Sequence, residues 1–207
     1  MTDYVTVKDY MGETVIKKSR FITFVYNISD SADAEAKLFN LRKKYYDATH
    51  VCYAYVADEI GNEMRYSDDG EPSGTAGQPI LDALKKSGVK KTLVAVVRYF
   101  GGTLLGAGGL VRAYSSCCSE SIASAEKIKY SYRDIYEMDF DFSTYRKVSS
   151  ALARNVKVLN VEYGACVKVT MATEIGNSPK QMLDNLCSAN TSPVFLQSKY
   201  VMEIANE

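Results

Sequence analysis

The sequence has little histidine, no excess of either charge and no long apolar run. His50 is the only histidine among 207 residues, and 25 basic side chains balance 25 acidic ones. Duplex nucleic-acid binders usually carry a basic excess because phosphate contacts dominate their affinity, so this balance argues against non-specific DNA binding. No run approaches the 18 apolar residues of a membrane span, and we expect no membrane association.

The cysteines are not arranged as ligands for a structural metal site. No two of them form a C-x-x-C pair, and one histidine is too few to complete a zinc site with them. Residues 1–10 are acidic and polar where a signal peptide needs an apolar core, and the number of cysteines is odd, which together favour the reducing cytoplasm. We expect a cytoplasmic protein without a metal or cofactor. The cysteines are Cys52, Cys117, Cys118, Cys166 and Cys187.

Apolar spacing predicts an α+β protein whose first domain covers residues 1–130. Thr92–Arg98 is typical of a fully buried strand because its apolar residues are continuous rather than alternating. A glycine-rich stretch follows, and Leu110–Ala125 then has helical spacing. The polar, tyrosine-flanked stretch Lys127–Arg133 interrupts the pattern and predicts a domain boundary.

The remaining residues, 134–207, predict a second and smaller domain. A strand expected at Ile135–Phe142 is followed by a helix, two strands joined at Gly164, a second helix and a closing strand. The resulting order, β-α-β-β-α-β, is the ferredoxin-like order.

The glycine-rich stretch is the first candidate binding site. Glycine lets backbone amides approach a ligand closely, and amides at a helix N-terminus attract anions. The flanking arginines could add charge-assisted hydrogen bonds to phosphate. Because the Walker and dinucleotide-binding spacings are both absent, a purely structural crossover is the alternative to an anion- or RNA-binding site. The residues concerned are Arg98, Gly101, Gly102, Gly106, Gly108, Gly109 and Arg112.

A polar, acidic loop is the second candidate. Clustered carboxylates could bind Mg²⁺ or act as acid and base, but calcium loops place acidic groups at alternate positions, which this segment does not. The alternatives are an ordered loop that caps the next helix and a loop that recognises a partner. The residues concerned are Asp68, Asp69, Gly70, Glu71, Pro72, Gly74 and Thr75.

The sequence offers few groups for catalysis. His50 could act as a general base because its side chain titrates near neutrality, but a lone histidine without a placed nucleophile is more often structural. Asp68, Asp69 and Glu71 are the accompanying acid–base candidates. The sequence thus favours binding over catalysis and leaves catalysis open.

Basic residues occur in small groups with aromatic residues between them. Examples are Lys17-Lys18 with Arg20, and Arg42 to Lys44 beside Tyr45. Basic groups with stacking rings are how proteins hold single-stranded nucleic acid. Solvated helix ends and buried rings are the alternative explanation.

Four ordered motifs lie in the first predicted domain. They are Lys18-Ser19-Arg20-Phe21-Ile22; Ala48-Thr49-His50 with Cys52-Tyr53-Ala54; Ser67-Asp68-Asp69-Gly70-Glu71-Pro72 with Gly74-Thr75-Ala76-Gly77-Gln78-Pro79; and Arg98-Tyr99-Phe100-Gly101-Gly102 with Leu105-Gly106. Together they resemble the IMPACT family, including its bacterial, two-domain, YigZ-like members. The resemblance covers nearly the whole chain, since the second domain is also similar to the C-terminal domain of the bacterial members.

The resemblance implies a fold and a general role. It implies an N-terminal domain like the second domain of a small-subunit ribosomal protein and a C-terminal domain like a ferredoxin-like domain of elongation factor G. Mammalian relatives inhibit a stress-activated kinase that phosphorylates an initiation factor. The family implies no catalytic residues, and likeness to translation factors is analogy only.

We therefore expect a regulatory binding protein linked to translation. It would contact RNA, the ribosome or a translation-machinery protein through a groove between the Arg98–Arg112 loop and the Asp68–Gly77 loop. The alternatives are an enzyme or binder for a small phosphorylated ligand, and a pure protein-interaction module.

Overall fold

The computed structural model describes residues 1–186 and 192–203, and their contacts divide the chain into two compact units. The first unit covers residues 2–129 and the second covers residues 130–203. Cys187 and the predicted ends of the last helix and strand lie outside the described residues. Within the described part of the chain, none of the helices has both the length and the apolar character that a membrane crossing needs.

The first unit is built on a five-stranded sheet. Its neighbouring strands run antiparallel in the order β2-β3-β6-β4-β5. Three helices and a further short strand, β1, complete the unit. The elements are β1 (Tyr4–Val7), β2 (Tyr10–Ile16), β3 (Ser19–Asn27), α1 (Ser31–Lys44), β4 (His50–Val56), β5 (Met64–Ser67), α2 (Gly77–Ser87), β6 (Thr92–Tyr99) and α3 (Ala107–Ser124).

The central strand β6 is buried on both faces of the sheet. Val94 and Val96 belong to one core, with residues of α2 and α3, while Leu93, Ala95 and Val97 belong to the other, with residues of α1. The continuous apolar run that predicted a fully buried strand is explained by helices on both sides. Because its neighbours β3 and β4 pair with it along their lengths, residues far apart in sequence meet at its end.

Helix α3 begins earlier than predicted. Its first residue is Ala107, not Leu110, so Gly108 and Gly109 lie in its first turn and not in the preceding loop. Glycine lowers helix stability by roughly 1 kcal/mol relative to alanine. The helix forms nevertheless because its buried face, which includes Leu110 and Tyr114, packs into the core. Tertiary packing thus overrides local propensity.

The second unit has the element order β-α-β-β-α-β. Its strands lie in the order β8-β9-β7-β10, with antiparallel pairing of β7 with β9 and of β8 with β9. The helices pack on one core that includes Met138, Val148 and Leu183. The elements are β7 (Lys127–Phe140), α4 (Phe142–Asn155), β8 (Lys157–Tyr163), β9 (Val167–Thr173), α5 (Lys180–Leu186) and β10 (Val194–Glu203).

The two units divide between Lys129 and Tyr130, within the stretch Lys127–Arg133. This stretch does not interrupt the regular structure, because it forms the first half of β7. Exposed and half-buried side chains alternate over residues 127–130, and Ser131 is fully buried. The polar composition of the stretch therefore did not indicate a strand. At the other end β7 stops at Phe140, because the Asp141 side chain accepts a hydrogen bond from the Thr144 N–H and caps α4.

Candidate functional site

Segments from all four motifs meet at the end of strand β6. The Ser19 hydroxyl accepts hydrogen bonds from an Arg98 guanidinium N–H and from the Gly101 N–H, both at 3.3 Å. The Thr49 N–H donates to the Arg98 carbonyl at 2.9 Å, and its hydroxyl accepts from the Phe100 N–H at 3.0 Å. Strand pairing explains this meeting, since β3 and β4 flank β6.

A buried ion pair lies at the centre of these segments. Arg98 Nη1 is 2.5 Å from Glu71 Oε1, and the two side chains are 6% and 3% exposed. The guanidinium also lies over the rings of Phe21 and Phe100, with 5.4 Å and 5.7 Å from its carbon to the ring centres. The arginine that was predicted to meet a phosphate is thus already paired with a carboxylate.

Tyr114 and Cys52 extend this network away from the ion pair. The Tyr114 hydroxyl donates to Glu71 Oε1 at 2.8 Å, and the Cys52 thiol donates to the Tyr114 oxygen at 3.3 Å. Burial raises the pKa of both the Tyr114 hydroxyl and the Cys52 thiol above their ordinary values. Both groups are therefore protonated at neutral pH and act as donors, which leaves Cys52 without thiolate character.

His50 lies beside the ion pair with a defined tautomer. Its Nδ1 is 2.8 Å from the Asp69 carbonyl oxygen, which can only accept, so Nδ1 carries the hydrogen. In the neutral ring Nε2 therefore has a free lone pair, and it lies 3.9 Å from Glu71 Oε2. The Nε2 atom of the histidine thus faces the buried carboxylate.

The two aspartates of the acidic loop hold the backbone rather than face a ligand. Asp68 accepts hydrogen bonds from the N–H groups of Gly74, Ala76 and Gly77 at 2.8–3.0 Å, at the start of α2. Burial alone raises the pKa of Asp68, but these three donors outweigh it and lower the pKa below its ordinary value. Asp69 accepts from the Val51 N–H at 2.7 Å. Both carboxylates therefore act as structural anchors.

The rest of the acidic loop has a mixed placement. Pro72 and Gly74 are exposed, while Thr75 is buried and donates its hydroxyl to the Pro72 carbonyl. Gly70 has a φ of +84° and packs beside the His50 ring. Among the described residues, no group of three or more histidine, cysteine, aspartate or glutamate side chains could hold a metal ion.

The two predicted loops enclose a cavity of about 350 Å³. One wall comes from the acidic loop and the start of β4, and the other from the glycine-rich segment and the start of α3. Phe100 and Leu104 are 45% and 81% exposed beside it, so apolar surface faces solvent at this place. Its lining residues are Thr49, His50, Gly70, Glu71, Pro72, Arg98, Phe100, Leu104, Leu105, Gly106, Ala107 and Leu110.

The other predicted glycines do not line this cavity. A Cβ on Gly101 would lie 2.0 Å from the Lys18 backbone, so this glycine permits a close approach of two chain segments. Gly102 has a φ of +80° in the loop, and Gly108 and Gly109 are helical. These four glycines therefore serve the local fold, and of the glycines predicted in the glycine-rich stretch only Gly106 lines the cavity.

Arg112 does not line this cavity and lies on an adjacent, positively charged surface, which we call the basic surface and define by Lys17, Lys18 and Arg112. Arg112 and Lys17 line one concave region of about 580 Å³. Lys17 and Lys18 form the two-residue turn between β2 and β3, with φ values of 46° and 67°. All three side chains are exposed, and none forms an ion pair within the described part of the chain.

Ser19 and Tyr114 contribute to this site, but the sequence did not indicate their roles. Ser19 lay within a recognised motif, but its hydroxyl contact with Arg98 spans 79 residues and has no local signal. Tyr114 has helical spacing with Leu110 and Cys118, but spacing alone does not show where its hydroxyl points.

Comparison with known proteins identifies one family. A family model described as the Impact N-terminal domain matches residues 17–122. The IMPACT family member YvyE of Bacillus subtilis is 38% identical over 173 residues, 80% of each chain. The chain belongs to the IMPACT family. The IMPACT family member YigZ of Escherichia coli is 36% identical over 160 residues, 76% of this chain and 78% of the relative.

A solved structure described as that of a hypothetical protein is also similar. It has a TM-score of 0.64 and 29% identity, and the match covers 95% of this chain and 98% of the other. The IMPACT-family resemblance inferred from the four motifs is therefore confirmed. Every residue that lines the cavity lies inside the range that the family model matches.

Proposed function

We propose that this IMPACT-family chain is a regulatory binding protein linked to translation, and that its basic surface contacts RNA on the ribosome or beside a translation factor. Family membership supports the link to translation. The basic surface is the proposed RNA contact, because Lys17 and Arg112 line one concave region and none of its three cations forms an ion pair among the described residues. Arg20 and Arg98, by contrast, are each paired with a glutamate.

As part of this proposal, each of the two units is similar in fold to a domain of a translation protein. The β-α-β-β-α-β order of the second unit matches what a ferredoxin-like domain of elongation factor G would have. The first unit would correspond to the second domain of a small-subunit ribosomal protein. We propose the domain division at residues 1–130 and 134–207, within a cytoplasmic protein, on the same basis.

A small phosphorylated ligand in the cavity is the less favourable alternative. The cavity is lined by the buried Glu71 carboxylate, and Arg98 is already paired with it. A phosphate would therefore meet a negative charge without a free guanidinium to balance it. The exposed Phe100 and Leu104 instead leave a direct protein partner as the second possibility.

Co-sedimentation with ribosomes tests the proposal. Three phosphate contacts on single-stranded RNA imply that log affinity falls with a slope of about 2 against log salt, or roughly 20-fold between 50 and 200 mM salt. The variant Lys17→Asn/Lys18→Gly/Arg112→Gln is expected to lose this binding. The two turn substitutions are compatible with the fold, because Asn-Gly favours positive φ at both positions.

A variant with the same loss of charge is the control. Lys43→Ala/Lys85→Ala/Lys86→Ala removes three exposed lysines from the last turns of α1 and α2, outside the concave region that Lys17 and Arg112 line, and is expected to sediment like the original chain. Equal binding by the basic-surface variant would refute the proposed contact. Binding that survives nuclease treatment would instead indicate a protein partner.

A further inference from the structure

The outer strand of the first sheet has one edge with which no other described segment pairs. Strand β2 lies at the end of the strand order and pairs with β3 over all seven of its residues. The Lys17-Lys18 turn has positive φ at both positions, which is the geometry of a two-residue hairpin. The residues that flank such a turn, here Ile16 and Ser19, exchange both of their backbone hydrogen bonds. This pairing fixes which backbone groups of β2 face β3.

Three residues of β2 direct their backbone groups away from the sheet. Bonded and non-bonded pairs alternate along an antiparallel ladder, so counting back from Ile16 places Met11, Glu13 and Val15 at the non-bonded positions. Their N–H and C=O groups therefore point outward, and no backbone hydrogen bond joins them to another described segment. Each of these residues thus offers one donor and one acceptor to a further strand.

The edge lacks the features that protect exposed strands. Strand β2 contains no proline and no bulge, whereas β5, at the opposite end of the sheet, has only four residues. The side chains of Met11 and Val15 are 57% and 64% exposed. The charge of Glu13 is offset by Arg20, whose two bonds to it are each 2.8 Å. Regular and partly apolar edges of this kind accept a strand from another polypeptide.

A concave region lies beside this edge. Ile16 and Lys17 line it together with residues of α3, whereas no residue of β3 does, so it opens on the unpaired side of β2. Its volume is about 580 Å³, and Gly109, Ala113 and Ser116 contribute short side chains to its wall. Successive side chains of a strand point to opposite faces, so a strand added to β2 would direct alternate side chains into this region. The added strand would thus contact α3 as well as the ladder.

The charge around the region selects the partner. Lys17, Lys18 and Arg112 are exposed and form no ion pair among the described residues, so acidic groups on the added strand would be complementary. A second copy of this chain would bring the same three cations, and its Glu13 is already paired with Arg20. RNA cannot continue a ladder of backbone hydrogen bonds, which only a polypeptide does. An acidic polypeptide therefore fits both the edge and the charge.

We propose that β2 binds an extended, acidic segment of a partner protein as an additional antiparallel strand. Antiparallel pairing continues the pattern of the sheet and is slightly more stable per residue than parallel pairing. In this direction the N-terminal end of the segment lies beside Ile16 and Lys17, so its acidic residues come first and β-branched residues follow. The proposal does not depend on the RNA contact, because it rests on the backbone groups of β2.

Fluorescence polarisation with the full chain tests the proposal. The probe is the peptide Asp-Asp-Val-Thr-Val-Thr-Val-Thr, labelled with fluorescein at its C-terminal end, and the matched control is Lys-Lys-Val-Thr-Val-Thr-Val-Thr with the same label. We expect the acidic peptide to bind about tenfold more tightly, because attractive charge pairs replace repulsive ones. Equal affinity of the two peptides overturns the proposal, as does a lack of binding by the acidic peptide.

Two substitutions at Val15 separate the backbone contact from the charges. Val15→Pro removes one outward N–H but leaves the bonds to β3 and all three cations in place, and edge strands tolerate proline. It is expected to weaken binding of the acidic peptide about tenfold, because a carbonyl of the peptide loses its donor and the ring blocks the edge. Val15→Thr keeps the N–H and a β-branched side chain and is expected to change the affinity less than about twofold. Equal affinities of folded Val15→Pro and Val15→Thr would overturn the proposal.

Hydrogen exchange of the original chain, measured by NMR, gives a test that needs no variant. Saturation with the acidic peptide should slow the exchange of the Met11, Glu13 and Val15 amides, because they would donate to the added strand. Unchanged exchange at these three amides would overturn the proposal. A dimer of the peptide-free chain, detected by sedimentation and abolished in Val15→Pro, would assign the edge to a second copy and overturn it as well.

Discussion

Replacing Glu71 with glutamine is expected to destabilise the first unit by about 3–5 kcal/mol, because it leaves the Arg98 guanidinium buried without a counter-charge. The glutamine oxygen can still accept from Arg98 and Tyr114 in the position of Oε1, so the expected loss comes from the missing counter-charge and not from lost hydrogen bonds. Small domains are stable by about 5–15 kcal/mol, so this loss is a large fraction of the total. At an m-value of about 2 kcal/mol/M the urea midpoint would fall by about 2 M.

Far-UV circular dichroism in urea measures this change, and two further variants make the result specific. Glu13→Gln breaks the exposed pair with Arg20, whose two bonds are each 2.8 Å, and should leave the midpoint nearly unchanged because water already screens it. Glu71→Gln/Arg98→Met removes the uncompensated charge and should be more stable than Glu71→Gln alone. A loss below about 1 kcal/mol for Glu71→Gln would refute the reasoning that the pair is buried and mutually dependent.

Three further predictions concern the loops and the cysteines. Gly101→Ala is expected to lower the melting temperature, because the added Cβ would overlap the Lys18 backbone. Gly108→Ala should raise it, because alanine stabilises a helix by about 0.5–1 kcal/mol relative to glycine. Equal shifts of the melting temperature in the two variants would contradict the prediction. Because folding lowers the pKa of Asp68, the ionised carboxylate stabilises the folded chain. This stabilisation is complete above the ordinary carboxyl pKa of about 4 and is lost as the pH falls. At pH 7 Asp68→Asn should therefore be less stable than the original chain, and its free energy of unfolding should change less between pH 5 and pH 2. Parallel plots of the free energy of unfolding against pH for the two chains would contradict the prediction. Iodoacetamide at pH 7 should modify Cys166 in the native protein, and peptide mass mapping measures this. Cys52, Cys117 and Cys118 should react much later, because they are buried and burial raises their pKa. Early labelling of these three thiols would contradict the prediction.

The strands and the two loops of the site could be predicted because each has a local signal. The apolar run of β6 indicated a doubly buried strand, and glycine, proline and acidic residues indicated the loops. The pairing of Glu71 with Arg98 could not be predicted, because it depends on β4 lying between β5 and β6 in the sheet. Sequence patterns show which residues are polar or charged, but not which charges cancel each other after folding.

The start of α3 and the first half of β7 were mispredicted for a related reason. Gly108 and Gly109 disfavour a helix locally, and the polar residues 127–133 do not have the composition of a buried strand. In both segments, contacts with the rest of the fold decide the conformation. The errors therefore fall where long-range packing outweighs local preference.

The turn between β2 and β3 bears on how this chain could change over evolutionary time. A hairpin turn with positive φ at both positions is most stable as Asn-Gly, and each left-handed residue other than glycine costs roughly 1–2 kcal/mol. Selection for stability alone would favour replacement of Lys17 and Lys18, since Asn-Gly at these two positions would make the hairpin more stable. A chain that keeps both lysines accepts a weaker hairpin together with two exposed charges. Under the proposed function, a redesign of this turn for thermal stability would also remove two of the three cations of the basic surface and so weaken RNA binding.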